Sequence, residues 1–328
     1  MKPSLRLLLA TAFIVIATVP LLILGYWVEN TALDKEIAAA SEKHLLMVKN
    51  VSAELDRYAL EVEATFNFFS ESLIAAKDLS KAAELGKRLD FRYVSIIEKD
   101  GRVALSFGVL GVAPERFQDT LLDTLRAFGG KQLIFSNVMR DAQGRGTIYL
   151  VRRLKGERLA VGVLGLGYIR KIQKSIAFGK EAHSIIVDAT GTIIAHPKVQ
   201  WQQQLKNISH LKPVARMMAS ETGVMTFLFP SMKREMITCF TTAARTGWGV
   251  MIPQPMGELH EHVNGVRGAM LTLIFTGLFI AAALSWLVSG VLVRPVEAVV
   301  RAAREIEGGN MESRVHKRSG SRRRNSMN

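Results

Sequence analysis

The 328-residue chain is 48% apolar, has a single cysteine and carries a net charge of +14. One cysteine, Cys239, excludes an intrachain disulfide, so the fold rests on its core, where Cys239 is expected to act as a small buried hydrophobe. The charge does not point to nucleic acid, because half of it sits at the two ends: Lys2 and Arg6 with no acid, and nine Lys/Arg against four Asp/Glu over 294–328.

Those ends flank two uncharged runs. Leu7 to Val28 is 22 residues long, with Tyr26 and Trp27 at its far end where aromatic rings favour a membrane interface. It is too long for a signal-peptide core, and Gly25-Tyr26-Trp27-Val28 offers no small-residue cleavage site. Gly268 to Val293 is a second run of 26 residues, bounded by Arg267 and Arg294. With basic flanks on the outer side of each run, the chain is expected to cross a bacterial inner membrane twice. Both termini would be cytoplasmic and residues 29–267 periplasmic, with lipid as one partner.

After the first run, Leu33, Ile37, Ala40, His44, Met47, Val51, Leu55, Tyr58, Val62, Thr65, Phe69 and Leu73 recur at helical spacing, which predicts one helix over 31–79. His44 falls in this seam as a packed residue. The period then changes. Tyr93–Ile97 and Val103–Phe107 read as a hairpin about Asp100-Gly101. Pro114 to Phe128 reads as a helix with proline in its first turn. Gln132–Val138, Thr147–Arg153 and Leu159–Leu166 read as strands. The order then repeats: strands at Ser184–Val187 and Thr192–Ala195 about Asp188-Ala189-Thr190-Gly191, a helix at Leu211–Ala219, then strands at Gly223–Phe229, Met236–Thr242 and Trp248–Ile252. Ser95-Ile96-Ile97 and Gly101 match Ser184-Ile185-Ile186 and Gly191 about ninety residues on, so a duplicated β-β-α-β-β-β unit is expected. Gly162-Val163-Leu164-Gly165-Leu166-Gly167 lacks phosphate-loop spacing and reads as a strand with close backbone packing.

A long helix, two PAS-like units and flanking apolar helices resemble the double Cache sensor domains over residues 30–262. The most specific stretch is Val187-Asp188-Ala189-Thr190-Gly191-Thr192-Ile193-Ile194-Ala195-His196-Pro197, similar to the D-x-x-G-x-i-i-a-H-P segment of the membrane-proximal module. Arg294-Pro295 with Val296, Val299, Ala303 and Ile306, then Gly309-Asn310-Met311, resembles the first helix and connector of a HAMP relay over 294–318. The basic run through Arg322 to Arg324 has no apolar period for a second HAMP helix, so the relay is expected to be half present, as in a truncated or naturally shortened chain.

The fold class is thus α+β: a long N-terminal helix carrying two PAS-like antiparallel-sheet modules, flanked by two transmembrane helices. The segments are a cytoplasmic N-terminus (1–6), transmembrane helix 1 (7–28), stalk helix (29–82), membrane-distal module (83–170), membrane-proximal module (171–267), transmembrane helix 2 (268–293) and a partial HAMP segment with a basic tail (294–328).

The resemblance implies a homodimeric receptor that passes a ligand signal to a chemotaxis, kinase or cyclase output; a membrane-tethered binding module without output is the alternative. No nucleophile elbow, paired carboxylates or Cys/His cluster stands out, so neither catalysis, a metal nor a cofactor is expected, and His260 and His262 read as a solvated helix face. The resemblance also places the ligand in the distal module. Arg126, Asn137, Arg140, Tyr149 and Arg152 are the candidate ligand-binding residues. Alternation along the strand puts Tyr149 and Arg153 on one face and Arg152 on the other. Arginines favour an organic acid or another small anion. Amino-acid-binding relatives carry an R-x-W-Y-like stretch and a late acid; 109–131 has no Trp or Tyr, and the acid's place falls on Gly167.

Overall fold

The computed structural model describes residues 5–128, 133–175, 177–178, 182–230, 233–288 and the helical positions 295, 299 and 300. The chain divides into two compact units, one of 1–34 with 262–328 and one of 35–261.

In the first unit the described parts of the apolar runs are helical. Helix α1, Leu5–Ile74, contains the apolar stretch Ile14–Trp27 with Pro20 inside it. At the other end of the chain lies Gly268–Val288, 21 residues of mean hydropathy 2.2, the one helical segment among the described residues long and apolar enough to cross a membrane. Its side chains are exposed at Phe275, Phe279 and Trp286, as Ile16, Ile23 and Tyr26 are in α1. The two helices approach through small residues: a Cβ on Gly25 would lie 3.2 Å from Met270 Cε, and one on Gly277 3.2 Å from Leu21 Cδ1. The expected span 268–293 runs past the described residues at 289–293, and most of the HAMP-like segment lies outside them too.

The second unit is α+β. After α1 come helix α2 (Ala83–Arg88), strands β1 (Phe91–Ile97) and β2 (Val103–Gly108), helix α3 (Asp119–Phe128), and strands β3 (Ile134–Phe135), β4 (Met139–Arg140), β5 (Gly146–Arg153) and β6 (Leu159–Leu164). Helix α4 (Gly167–Ser175) and the short pair β7 (Ala177–Phe178) and β8 (Ala182–His183) lead to β9 (Ile185–Val187) and β10 (Ile193–Ala195). Helices α5 (Val199–Gln203) and α6 (Lys212–Met218) precede β11 (Gly223–Phe229), β12 (Arg234–Thr242), β13 (Gly249–Pro255) and helix α7 (Met256–Val288).

The antiparallel sheets run β2-β1-β6-β5-β3, with β4 on β5, and β10-β9-β13-β12-β11. Position by position the two orders are the same, which is the duplication expected from the repeat. One face of each sheet packs on α1: Val48, Val51, Leu55, Val62, Phe66 and Phe69 share a core with Phe91, Ile148 and Leu164 of the first sheet and Ile186, Val250 and Ile252 of the second. The opposite faces have their own cores, with Phe117, Leu122 and Leu125 over the first sheet and Leu211, Val214 and Met217 over the second. His44 and Cys239 are buried, as the pattern predicts. The Cys239 thiol lies 3.2 Å from the Ser41 carbonyl oxygen, and burial pushes its pKa up to about 11. His260 is exposed.

Three of the expected elements differ in extent. Helix α3 begins at Asp119 rather than Pro114, because the preceding backbone is taken by the sheet: Val103 N–H donates to Glu115 O and Phe117 N–H to Gly101 O. Among the described residues the strand expected over 132–138 shrinks to β3, because the Ser136 hydroxyl takes the Tyr149 N–H and interrupts regular pairing; β4 follows beyond it at Met139–Arg140. Helix α1 ends at Ile74 and not at residue 79.

Candidate functional site

Strand β1 carries a bulge. Phe91 pairs with Leu164 and Tyr93 with Val163, leaving Arg92 extra between them. A bulge breaks the two-residue alternation and re-aims a side chain. Here Arg92 and Tyr93 both line one cavity, although consecutive strand residues normally face apart. The Arg92 carbonyl accepts the N–H groups of Val109, Leu110 and Gly111, which ties the segment after β2 against the bulge.

The cavity, of about 850 Å³, lies beneath the segment that joins β2 to α3. Its base is Tyr93 and Tyr149. Its charged groups are Arg92, Arg116, Arg140 and Arg145 around a single carboxylate, Asp141. The Arg92 guanidinium contacts Asp141 and donates to Thr147 Oγ1 at 2.6 Å and to Gly146 O at 3.3 Å. Arg145 Nε donates to Asp141 Oδ2 at 2.9 Å. Burial would raise the Asp141 pKa, but the Arg145 backbone and side-chain hydrogen bonds, with the charges of both arginines, hold it below the usual carboxylate value. Burial, then the Asp141 charge, pushes the Tyr93 phenol up to about 12, so it is a neutral donor at physiological pH. Tyr149 is raised further by the same burial and by Tyr93. The site can hold an anion. Among the described residues it pairs no nucleophile with a base.

A match to the Cache domain family (dCache_1) covers residues 29–263. The chain belongs to this family. Over 332 residues it is 23% identical to the methyl-accepting chemotaxis protein McpB of Bacillus subtilis, the match covering 96% of this chain and 48% of that protein. The chain thus spans about half the length of that relative. In structure it resembles the extracellular domain of rpHK1S-Z16, named as a histidine kinase (TM-score 0.54, 13% identity, 67% of this chain and 95% of that one). It also resembles the periplasmic sensory domain of the Campylobacter jejuni chemoreceptor Tlp1 (TM-score 0.51, 10% identity, 69% and 98%). Residues 29–263 are therefore a Cache sensor domain of the kind found in chemoreceptors and histidine kinases, a sensory rather than a catalytic module.

The Cache stretch 187–197 has a structural role. Buried Asp188 accepts the N–H groups of Thr190 and Thr192 on Oδ1, closing its own turn, and that of Val138 on Oδ2 at 2.9 Å. Asp188 thereby joins the turn after β9 to the chain entering β4.

Of the five residues singled out in the sequence, Tyr149 and Arg140 line the cavity. The other three do not converge with them. Arg126 turns to the Lys99 carbonyl, and Arg153 Nη2 donates to the Arg126 carbonyl at 3.4 Å. Asn137 lies outside the lining, its carbonyl accepting the Ser136 hydroxyl. Arg152 is on the opposite face of β5, donating to Asn67 Oδ1 and Ser70 Oγ of α1, both at 2.9 Å. Strand alternation separates Arg152 from Tyr149, so those five never formed one group. Sequence reasoning missed Arg92, Tyr93, Arg116, Asp141 and Arg145. Asp141 and Arg145 bracket the turn Asp141-Ala142-Gln143-Gly144, which was legible as a turn and not as a source of charge.

Proposed function

We propose that this Cache domain is the input half of a transmembrane receptor and that its first-sheet cavity binds a small organic acid or another small anion. The observation that carries the reading is the charge of the wall: four guanidiniums about one carboxylate, which two of them already engage. A guanidinium pairs a carboxylate or phosphate through two parallel hydrogen bonds, so such a wall favours an anion. An α-amino acid needs in addition an acceptor for its ammonium group. Asp141 is the acid in the wall, and Arg92 and Arg145 occupy it.

The remaining parts of the reading follow from the chain order. The apolar segments of α1 and α7, with their basic outer flanks, support a two-pass topology in a bacterial inner membrane, termini inside and sensor outside. A homodimer, with residues from 294 onward relaying to a chemotaxis, kinase or cyclase output, is the arrangement that the resemblance to HAMP favours. The ligand acts by preferring one of two arrangements of the sensor, since equal affinity for both shifts nothing.

Thermal-shift screening of the detergent-purified chain against carboxylic acids, inorganic phosphate and amino acids tests the ligand class. A rise in melting temperature with a carboxylate or phosphate, lost in Arg116→Glu, is expected. A rise with amino acids alone rejects it.

A further inference from the structure

A second cavity, of about 480 Å³, lies against the second sheet and shares no lining residue with the first. Strand β13 continues past its last pairing with β9, at Met251, and there presents Pro253 and Pro255, which offer no N–H to a neighbour. Facing this smooth edge is an aromatic wall. The His196 ring lies 4.6 Å from that of Trp201, and Trp201 stacks on Phe229 at 6.2 Å and 17°. Lys198 sits 5.2 Å from the Trp201 ring centre. The rim is cationic through Lys198 and Arg234, with His183 beside them and no acid among the lining residues.

The backbone fixes the chemistry of His196. Lys198 N–H donates to His196 Nδ1 at 2.8 Å, which leaves the ring proton on Nε2 and makes that edge of the buried ring a donor. Asp188 and Gly191 hold the hairpin that ends in His196, and Ile208 N–H donates to Gly191 O, docking the segment after α5 on the same turn. The wall is thus built by the fold and not by chance surface side chains.

We propose that this second-sheet cavity is a separate binding site for a ring-bearing carboxylate. Trp201, Phe229 and the two prolines take the flat apolar body, and Lys198 takes the carboxylate. A ring with no charge lacks the partner that a cationic, acid-free rim calls for, and acetate lacks the body that the aromatic wall holds. The site is independent of the anion cavity of the first sheet, so the two proposals stand or fall separately.

The probe is 4-fluorobenzoate, titrated into the full chain in detergent micelles and followed by fluorine NMR. Saturable broadening below about 10 mM is expected, with acetate and benzyl alcohol competing poorly. Lys198 is exposed, so Lys198→Glu should fold as the wild type does. It is expected to weaken binding at least about fivefold, because it replaces an attraction by a repulsion. Trp201→Ala should do the same, whereas Arg116→Glu in the first cavity should leave this binding unchanged. Broadening that Arg116→Glu removes and Lys198→Glu spares overturns the proposal, as does the absence of saturable binding in that range.

Discussion

Tyr149 and Arg152 stand three residues apart on β5 and act on opposite sides of the sheet: Tyr149 forms part of the cavity base, while Arg152 holds Asn67 and Ser70 of α1. One strand therefore touches both the first-sheet cavity and helix α1. Glu71 adds a longer ion pair to Arg152 at 3.7 Å. Replacing Arg152 with Met keeps an apolar stem and removes the hydrogen bonds, together with the guanidinium that lies 6.0 Å over the Phe66 ring. The expected cost is about 2 kcal/mol, since hydrogen bonds to a charged group are worth more than neutral ones. Urea midpoints of the two proteins measure it. Ligand affinity should be kept, while ligand-dependent protection of amides over 60–74 in hydrogen exchange should be lost. An unchanged exchange pattern would remove Arg152 from the signal route.

Arg92 and Asp141 are a pair of a different kind. Their side chains are 13% and 7% exposed, so each charge depends on the other. Removing one partner strands the other in a poorly solvated place. Asp141→Ala is expected to cost about 3 kcal/mol or more, and Arg92→Met a similar amount. The double variant should lose clearly less than the sum of the two, because it strands neither charge. Additive losses in a double-mutant cycle would mean that the pair is not coupled in solution.

Why Arg92 escaped sequence reading is instructive beside what did not. The duplicated sheet was legible because period-two apolar runs and the turns at Gly101 and Gly191 recur in order; both glycines adopt positive φ, 85° and 81°. The seam of α1 was legible because Val51, Leu55, Tyr58, Val62 and Phe69 must all meet the sheets. The cavity was not. Its central arginine sits in a bulge, and a bulge is set by pairing with a strand some seventy residues away. Helix α4 was missed for a related reason. Its start is glycine-rich, and the Gly167 N–H is satisfied at 2.5 Å by Asp90, a cap that comes from 77 residues earlier in the chain. Where structure is local the residues announce it; where a distant partner supplies the missing bond, they do not.

Gly162 tests the contact between α1 and the first sheet. A Cβ there would lie 2.7 Å from Phe66 Cδ2 and 3.3 Å from Phe91 Cε1, and both rings are fully buried. Neither ring has free space to retreat into, so Gly162→Ala should destabilise by about 1–3 kcal/mol through overpacking. Combining it with Phe66→Leu should recover part of the loss. A neutral or stabilising Gly162→Ala would show that α1 yields at this point.

His196 gives the sensor a pH dependence whose direction can be worked out. Burial, followed by the charges of His183, Lys198 and Lys206, lowers its pKa from 6.5 to about 4. Above pH 6.5 the ring is neutral in both the folded and unfolded chain, and it contributes no slope. Between 6.5 and 4 the unfolded chain takes up a proton that the folded one refuses, so stability falls as pH falls. Below 4 both are protonated and the loss levels off. At 1.36 kcal/mol per pKa unit the full loss is about 3 kcal/mol, an upper bound for a ring that is 7% exposed. His44 acts in the same direction, its pKa lowered by burial and then by Lys43. Denaturant midpoints at pH 7 and pH 5 should therefore differ clearly in the wild type. In His196→Gln the difference should shrink, the amide keeping an acceptor near the Lys198 N–H without a proton to gain. An equal drop in wild type and variant would assign the acid sensitivity to other groups.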